Sequence, residues 1–218
     1  MNLVINSAEN ASDLKPANGI SNGTRSNKSE GIYSSEIYGK LNLHEVSTKF
    51  KSPIDVLRPA HNLKVRPLEI GDFERGYLDL LGQLTDVGHV PADTFDDTFR
   101  LMKERASHYI TVIEDAQEGS VIASGTLFLE QKFIHSCRVR ARIEDVVVSE
   151  NYRGKQLGKI IVLLLIEMAK HLNCYKVSLE CKDENFAPEI EIEAPKICCC
   201  SRAYLLLAPY MEPRNDIP

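Results

Sequence analysis

The chain has 218 residues, of which 43% are hydrophobic and 26% are charged, as in a globular protein rather than a fibrous or disordered one. Its net charge of −5 excludes a general attraction for nucleic acid or anionic lipid, so phosphate binding must be local. The longest apolar run, Ile160 to Ile166, is too short for a membrane span. The start lacks the pattern of a secretory signal, and the six cysteines form neither a zinc spacing nor a disulfide framework. We therefore expect a cytoplasmic protein without a metal site.

The first region, residues 1–57, is rich in Asn, Ser and Gly and shows no sustained apolar period. Such a segment buries too little apolar surface to offset the conformational entropy that ordering costs. We predict a disordered N-terminal leader to residue 57, with at most a transient helical turn at Leu41–Lys51.

The middle region contains alternating strand and helix patterns in chain order. The predicted strands are Leu63–Arg66, His108–Glu114, Val121–Leu129, Arg140–Val148 and Tyr175–Glu180. The predicted helices are Phe73–Leu84 with Asp72 as N-cap, a helix begun by Pro91 that carries Phe95, Phe99 and Met102 on one face, and Gln156–Leu172. The strand, helix and strand at 140–180 predict a parallel pair joined by a right-handed crossover. The crossover helix is apolar nearly all round, which predicts burial on several sides.

The turn Arg153-Gly-Lys-Gln-Leu-Gly158 lies between a predicted strand and a predicted helix. At such a junction the first N–H groups of the helix are unpaired and its dipole is positive, which favours an anion. Gly154 permits close backbone approach, while Arg153 and Lys155 add positive charge. The pattern is neither a Walker A loop nor a dinucleotide fingerprint. A basic, solvated turn without a ligand is the alternative interpretation, because short patterns of this kind recur by chance.

This turn and the preceding Ile143-Glu-Asp-Val-Val-Val148 resemble the acyl-CoA-binding motif of the GNAT superfamily of N-acetyltransferases, except that Gln156 stands at the superfamily's first glycine. Four segments narrow the resemblance to the glucosamine 6-phosphate N-acetyltransferase family: Gly82–Gly88, Lys132–Cys137, Arg142–Val148 and Leu172–Cys181. The resemblance implies an α/β domain at residues 58–186, with a mixed central sheet flanked by helices.

The resemblance also implies an activity: transfer of acetyl from acetyl-CoA to the 2-amino group of glucosamine 6-phosphate, a step of UDP-N-acetylglucosamine biosynthesis, without a metal. The residues implied in catalysis are Glu144 and Asp145, which orient the amine or accept its proton, and Val146, whose amide polarises the thioester carbonyl. The residues implied in cofactor binding are Asp145, Val146, Val147, Arg153, Gly154, Lys155, Gln156, Leu157, Gly158 and Asn185. The residues implied in binding the sugar phosphate are Thr85, Lys132, Phe133, Ile134, His135 and Glu180. For the acidic pair the alternative is a solvated strand end, and for a lone histidine it is an ordinary surface position.

The resemblance further implies a homodimer with active sites at the subunit interface, and it stops near residue 186. The family continues with Phe-Tyr, whose Tyr protonates the leaving thiolate, where this chain has Pro188 and Glu189. We therefore expect the closing C-terminal strands to be missing and residues 187–218 to form an irregular tail that does not tie back to the core. Two alternatives stay open: a catalytically impaired form that binds cofactor or regulates a dimer partner, and a GNAT enzyme with another amine substrate.

Overall fold

The computed structural model describes residues 30–180 and the backbone of residues 203–206. Across these ranges six strands form one mixed sheet whose order follows the sequence. The strands are β1 (Leu63–Pro67), β2 (His108–Asp115), β3 (Ser120–Gln131), β4 (Val139–Val148), β5 (Lys176–Glu180) and β6 (Ala203–Leu206). Neighbouring strands are antiparallel except β4 and β5, which run parallel. The predicted parallel pair around a crossover helix is confirmed.

The helices lie on both faces of this sheet. The described helical segments are α1 (Leu43–Thr48), α2 (Tyr77–Gly82), α3 (Ala92–Arg105), the single turn α4 (Ile134–Cys137) and α5 (Leu157–His171). Short 3-10 turns occur at Ser35–Lys40, Ile70–Phe73 and Glu150–Tyr152. Pro91 caps α3, and Phe95 and Phe99 are buried with Met102 packed beside them, as predicted.

Helix α5 covers one face of the sheet and supplies much of the larger apolar cluster. Its residues from Ile160 to Leu165 are all buried, which confirms the burial predicted from its composition. Helices α2 and α3 cover the opposite face over β2 and the end of β4, where Val112 and Val147 join the second cluster. The two clusters place α5 and α2 on either side of the carboxyl end of β4.

Residues 30–57 are ordered, so the predicted disorder is wrong for this part of the leader. Ile32, Tyr38, Val46 and Val56 are buried in the two clusters. The Tyr33 hydroxyl lies 2.6 Å from the Tyr38 hydroxyl and 2.6 Å from the Thr111 hydroxyl in β2. These apolar residues insert singly into the core, so they create no period that a sequence pattern could show. The expected helical turn within Leu41–Lys51 is confirmed as α1; residues 1–29 lie outside the described residues.

Asp72 does not cap the helix that follows it, which corrects the predicted helix start. It belongs to the 3-10 turn, is wholly buried, and accepts two 2.8 Å hydrogen bonds from the Arg66 guanidinium and one of 3.0 Å from Arg75. Helix α2 instead begins at Tyr77, after Gly76 with its φ of 77°. The side chain of Asp72 is engaged by a buried arginine, so it serves the packing of β1 rather than the end of α2.

Strand β6 corrects part of the expectation for the tail. Residues 203–206 pair antiparallel with β5 from Val177 to Glu180, so this short segment does tie back to the sheet. Without it the outer edge of β5 would present unpaired N–H and C=O groups, which an extended apolar segment satisfies. The remaining tail residues and the expected boundary at residue 186 lie outside the described residues.

We predict that Gly125→Ala lowers the free energy of unfolding by about 1–3 kcal/mol, the usual cost of overpacking a core. An added Cβ at Gly125 would lie 2.5 Å from Ile161 Cγ2 of α5, closer than real Cβ atoms approach. Chemical denaturation measures the loss. Gly39→Ala is the matched control, because its Cβ meets nothing within 4 Å. Equal stability of the two variants would contradict the close packing of α5 on β3.

Candidate active site

Strand β4 carries a bulge near its carboxyl end. Gly125 of β3 faces two residues of β4, Asp145 and Val146, where a regular ladder would place one. Asp145 adopts a left-handed conformation with φ of 52°. A bulge of this kind re-aims the backbone and side chains of the strand, and bulges are frequent beside active sites. The predicted catalytic pair, Glu144 and Asp145, therefore sits at a distortion rather than in a regular strand end.

The described pairing of β4 with β5 ends just before the bulge. Their parallel pairing runs from Arg140 opposite Lys176 to Ile143 opposite Leu179. Beyond Ile143, residues 144–148 pair only with β3 among the residues that the structure describes. Within the described ranges, the backbone groups on the β5 side of this stretch, which includes Val146 and Val147, have no strand partner and could hydrogen-bond a ligand.

The turn at Arg153–Gly158 follows β4 and leads into α5, as predicted. Gly154 has a φ of 79°, and Gln156, the N-cap of α5, has a φ of 59° without a side-chain hydrogen bond to the helix. The residues from Arg153 to Gln156 are exposed, whereas Leu157 is buried. Backbone N–H groups of the first turn of α5 and two exposed cations therefore face solvent together, which suits a phosphate group.

We predict that Gln156→Gly raises the free energy of unfolding by about 0.5–1 kcal/mol. A non-glycine residue in the left-handed region carries a conformational cost of roughly 1–2 kcal/mol, which glycine avoids. Thermal denaturation followed by circular dichroism measures the gain. Gln117→Gly serves as the control: Gln117 is exposed in the β2–β3 turn without a positive φ, so there the added freedom of the unfolded chain should lower stability. A loss at both positions would contradict strain at Gln156.

Thr85 lies on the same side of the molecule as the bulge. It is exposed just after α2, whose residues Tyr77 and Leu80 pack with Val147 of β4. The Gln83 side-chain oxygen accepts a 3.0 Å hydrogen bond from the backbone N–H of Glu150, which ties this segment to the turn before Arg153. The structure thus brings the Thr85 segment close to the start of the anion-binding turn.

The segment Lys132–His135 lies at the other end of β4. At about 3.3 Å per residue, Val139 at the start of β4 and Asp145 at its bulge are roughly 20 Å apart. Phe133 is 95% exposed and Ile134 is 62% exposed, while the His135 ring stacks 4.3 Å from Tyr175. The Lys132 ammonium pairs with Glu130 at 2.7 Å. One chain therefore does not bring this segment to the bulge.

Two further predicted residues are only partly placed. Glu180 is the last residue of β5, and its backbone pairs with Ala203. Asn185 lies outside the described residues.

Two arginines that share a face of β4 with Glu144 were not singled out by the sequence. Arg142 contacts Glu144 at 3.3 Å and lies 5.3 Å from the centre of the Phe128 ring. Arg140 donates a 3.2 Å hydrogen bond to Ser178 of β5. Burial lowers the pKa of His108, as does Arg105, while the Glu144 carboxylate opposes the change. The period-two spacing of Arg140, Arg142 and Glu144 was the available signal for this shared face.

The buried Tyr77 also borders the bulge and was assigned only to the core. Burial raises the pKa of Tyr77 to about 12, and the nearby carboxylate of Asp145 acts in the same direction. Tyr77 is therefore a neutral phenol at physiological pH and adds no charge beside the bulge.

Two classes of feature do not appear in the described part of the chain. No cluster of His, Cys, Asp or Glu there is arranged to hold a metal ion. No helix there is both long and apolar enough to cross a membrane.

Comparison with known proteins agrees with this geometry. The model of the acetyltransferase (GNAT) family matches residues 76–187, and the chain belongs to this family. It is 46% identical over 154 residues to a protein of Drosophila melanogaster named probable glucosamine 6-phosphate N-acetyltransferase, a match covering 70% of each chain. It is 43% identical over 127 residues to glucosamine 6-phosphate N-acetyltransferase of Arabidopsis thaliana, covering 58% of this chain and 85% of the relative. The fold and family expected from the motifs are confirmed.

A solved structure shows the same architecture. The crystal structure of glucosamine-6-phosphate N-acetyltransferase from Arabidopsis thaliana matches with a TM-score of 0.55 and 44% identity, over 56% of this chain and 84% of that chain.

Proposed function

We propose that the protein transfers the acetyl group of acetyl-CoA to the 2-amino group of D-glucosamine 6-phosphate, giving N-acetyl-D-glucosamine 6-phosphate and CoA. The observation that carries this proposal is the 46% identity, over 70% of the chain, to a relative named for that reaction. The product is a precursor for UDP-N-acetylglucosamine biosynthesis. Free thiols at Cys137 and Cys174 are in keeping with a cytoplasmic location.

The residues of the bulge and of the turn fit acetyl-CoA. The side of β4 that faces away from β3 offers backbone hydrogen bonds to an extended pantetheine chain at Asp145, Val146 and Val147, where no other described strand pairs with it. The exposed turn Arg153–Gly158 provides N–H groups and positive charge for a pyrophosphate, with Asn185 as a further proposed contact. When bound, acetyl-CoA supplies the activated acetyl group.

The chemistry that remains for the chain is positioning and proton transfer. We assign the Val146 amide to donate a hydrogen bond to the thioester oxygen as negative charge develops there. Glu144 and Asp145 orient the amine and accept its proton, because an amine must be neutral to attack. Thr85, Lys132, Phe133, Ile134, His135 and Glu180 are the proposed contacts of the sugar phosphate.

The two ends of β4 support a homodimer. The bulge and the Lys132–His135 segment lie roughly 20 Å apart along the strand, farther than one small sugar phosphate reaches. A second copy that brings its own Lys132 and His135 to the bulge would complete the site. The exposed side chains of Phe133 and Ile134 give such a contact apolar area.

An assay of CoA release tests the reaction. Purified protein with acetyl-CoA is expected to release CoA only when glucosamine 6-phosphate is added; glucosamine and other amines are the controls. Release of CoA with a different amine instead would show that this amine, rather than glucosamine 6-phosphate, is the substrate. Folded protein that binds CoA without turnover would instead support the impaired, regulatory form.

Mixing two impaired variants tests the shared site. Asp145→Asn and Lys132→Ala, each strongly impaired alone, are expected to regain part of the activity when mixed and allowed to exchange subunits. Each mixed dimer would hold one site with both residues intact. Light scattering on the same samples reports the dimer. No recovery in a mixture shown to contain dimers would contradict a site shared between subunits.

A further inference from the structure

The last residue of β2, Asp115, is the centre of a dense set of hydrogen bonds outside the predicted site. It is 2% exposed. Its carboxylate accepts hydrogen bonds from Asn62 Nδ2 at 2.6 Å, from the Tyr152 hydroxyl at 2.8 Å, and from the backbone N–H groups of Gln117 and Glu118. Burial raises the pKa of Asp115, but these donors outweigh it and lower the pKa below its usual value. Asp115 is therefore an anion with a fixed set of donors.

Tyr152 connects this anion to the anion-binding turn. The residue lies immediately before Arg153 and is half-buried against the larger apolar cluster. The hydrogen bond to Asp115, together with burial, raises the pKa of Tyr152 to about 12, so its hydroxyl remains a donor at physiological pH. Two constraints, the hydroxyl bond and the core contact, fix the orientation of the ring.

The Tyr152 ring contacts the ammonium group of Lys155, one of the two cations of the turn. Lys155 Nζ lies 4.5 Å from the centre of the Tyr152 ring, within the range of a cation–π contact. Lys155 is otherwise exposed, and a free lysine side chain has about 2 kcal/mol of rotamer entropy to lose when it is held by a ligand. A lysine side chain that already contacts a rigid aromatic ring loses less rotamer entropy when it binds a ligand.

We propose that Asp115 and Tyr152 form a positioning pair that holds the Lys155 ammonium at the mouth of the turn, where it contacts a phosphate of the CoA moiety. This inference rests on the proposed function, since it requires the turn to bind CoA. Asp115 and Tyr152 touch neither substrate in this arrangement and act through Lys155.

Titration calorimetry with CoA and with pantetheine, which lacks the phosphates, tests the proposal. Tyr152→Leu is expected to weaken CoA binding about two- to fivefold, as loss of a cation–π contact predicts, and to leave pantetheine binding unchanged. Tyr152→Phe keeps the ring but loses the bond to Asp115, so we expect a smaller loss of CoA affinity. In turnover, the KM for acetyl-CoA should rise while kcat and the KM for glucosamine 6-phosphate hold.

A matched control exists on α5, where Lys159 Nζ lies 5.0 Å from the Phe50 ring. Phe50→Leu removes a contact of the same kind outside the turn, and CoA affinity should not change. Combining Tyr152→Leu with Lys155→Gln should cost no more than Lys155→Gln alone, because the ring acts through that lysine.

The outcomes separate this inference from the proposed function. Wild-type protein that binds no CoA would overturn both. Equal CoA affinities for the wild-type protein, Tyr152→Leu and Tyr152→Phe would overturn the inference but not the proposed function. Equal losses for CoA and pantetheine would also overturn it, because they would indicate a general change of fold.

Discussion

Replacing Arg66 by leucine is expected to lower the free energy of unfolding by about 3–5 kcal/mol, the usual cost of leaving a buried charge without its partner. Arg66 is 4% exposed, and it binds both carboxylate oxygens of the fully buried Asp72 at 2.8 Å and Glu114 at 2.6 Å. After the change Asp72 would keep the Arg75 guanidinium at 3.0 Å and the backbone N–H of Glu69 at 2.8 Å, but it would lose both hydrogen bonds from the buried arginine. Urea denaturation of the two proteins measures the difference.

Arg100→Leu is the matched control for that experiment. Arg100 pairs with Asp97 at 3.4 Å on the surface of α3, where exposed ion pairs contribute about 1 kcal/mol or less. The double variant Arg66→Leu/Asp72→Leu should recover part of the loss, because no lone buried charge remains at position 72. A cost for Arg66→Leu as small as that for Arg100→Leu would show that Asp72 is not held as the structure has it.

Asp145→Asn is expected to reduce kcat about 100-fold or more, the lower end of what a general base contributes. Asparagine tolerates the left-handed φ of 52° at this position, so the bulge and the stability of the fold should be preserved. The change therefore separates the negative charge from the backbone geometry. Steady-state kinetics under the proposed reaction measure the effect, with the melting temperature as a check on folding.

Asp97→Asn on the surface of α3 controls for the loss of a carboxylate far from the bulge, and kcat should not change. Asp145→Val changes the backbone geometry of the bulge as well as the charge, because a β-branched residue with a positive φ is strained. An unaltered kcat for Asp145→Asn would mean that Glu144, rather than Asp145, accepts the proton. Glu144→Gln would then lower kcat.

Much of the fold could be predicted because its elements carry local patterns. The alternation at Leu63–Arg66, Pro91 at a helix start, and the apolar crossover helix each specify an element without help from the rest of the chain. Residues 30–57 could not be predicted in this way, since Tyr33 and Val46 gain their order from distant partners. The role of Asp72 was predicted wrongly because an aspartate suits a helix N-cap and a buried ion pair equally well, and the sequence does not distinguish the two.

The sequence predicts the candidate site only as a set of residues, and it does not predict how they are arranged. The Arg153–Gly158 turn is visible from its glycines and charges. The bulge at Asp145 is not, because a register shift depends on Gly125 in the neighbouring strand. Likewise the separation of the Lys132–His135 segment from the bulge becomes visible only when strand length is known. The Asp115–Tyr152 contact joins residues 37 positions apart, and no local pattern could reveal it.

The order of residues 30–57 has a practical consequence for any fragment of this protein. A recombinant version starting at residue 58, the predicted domain boundary, would remove Tyr38, Val46 and Val56 from the larger cluster and leave the Thr111 hydroxyl without Tyr33. Such a fragment should aggregate or require a solubilising fusion. A version starting at residue 30 would keep these contacts, which makes residue 30 a better boundary than residue 58 for a shortened version.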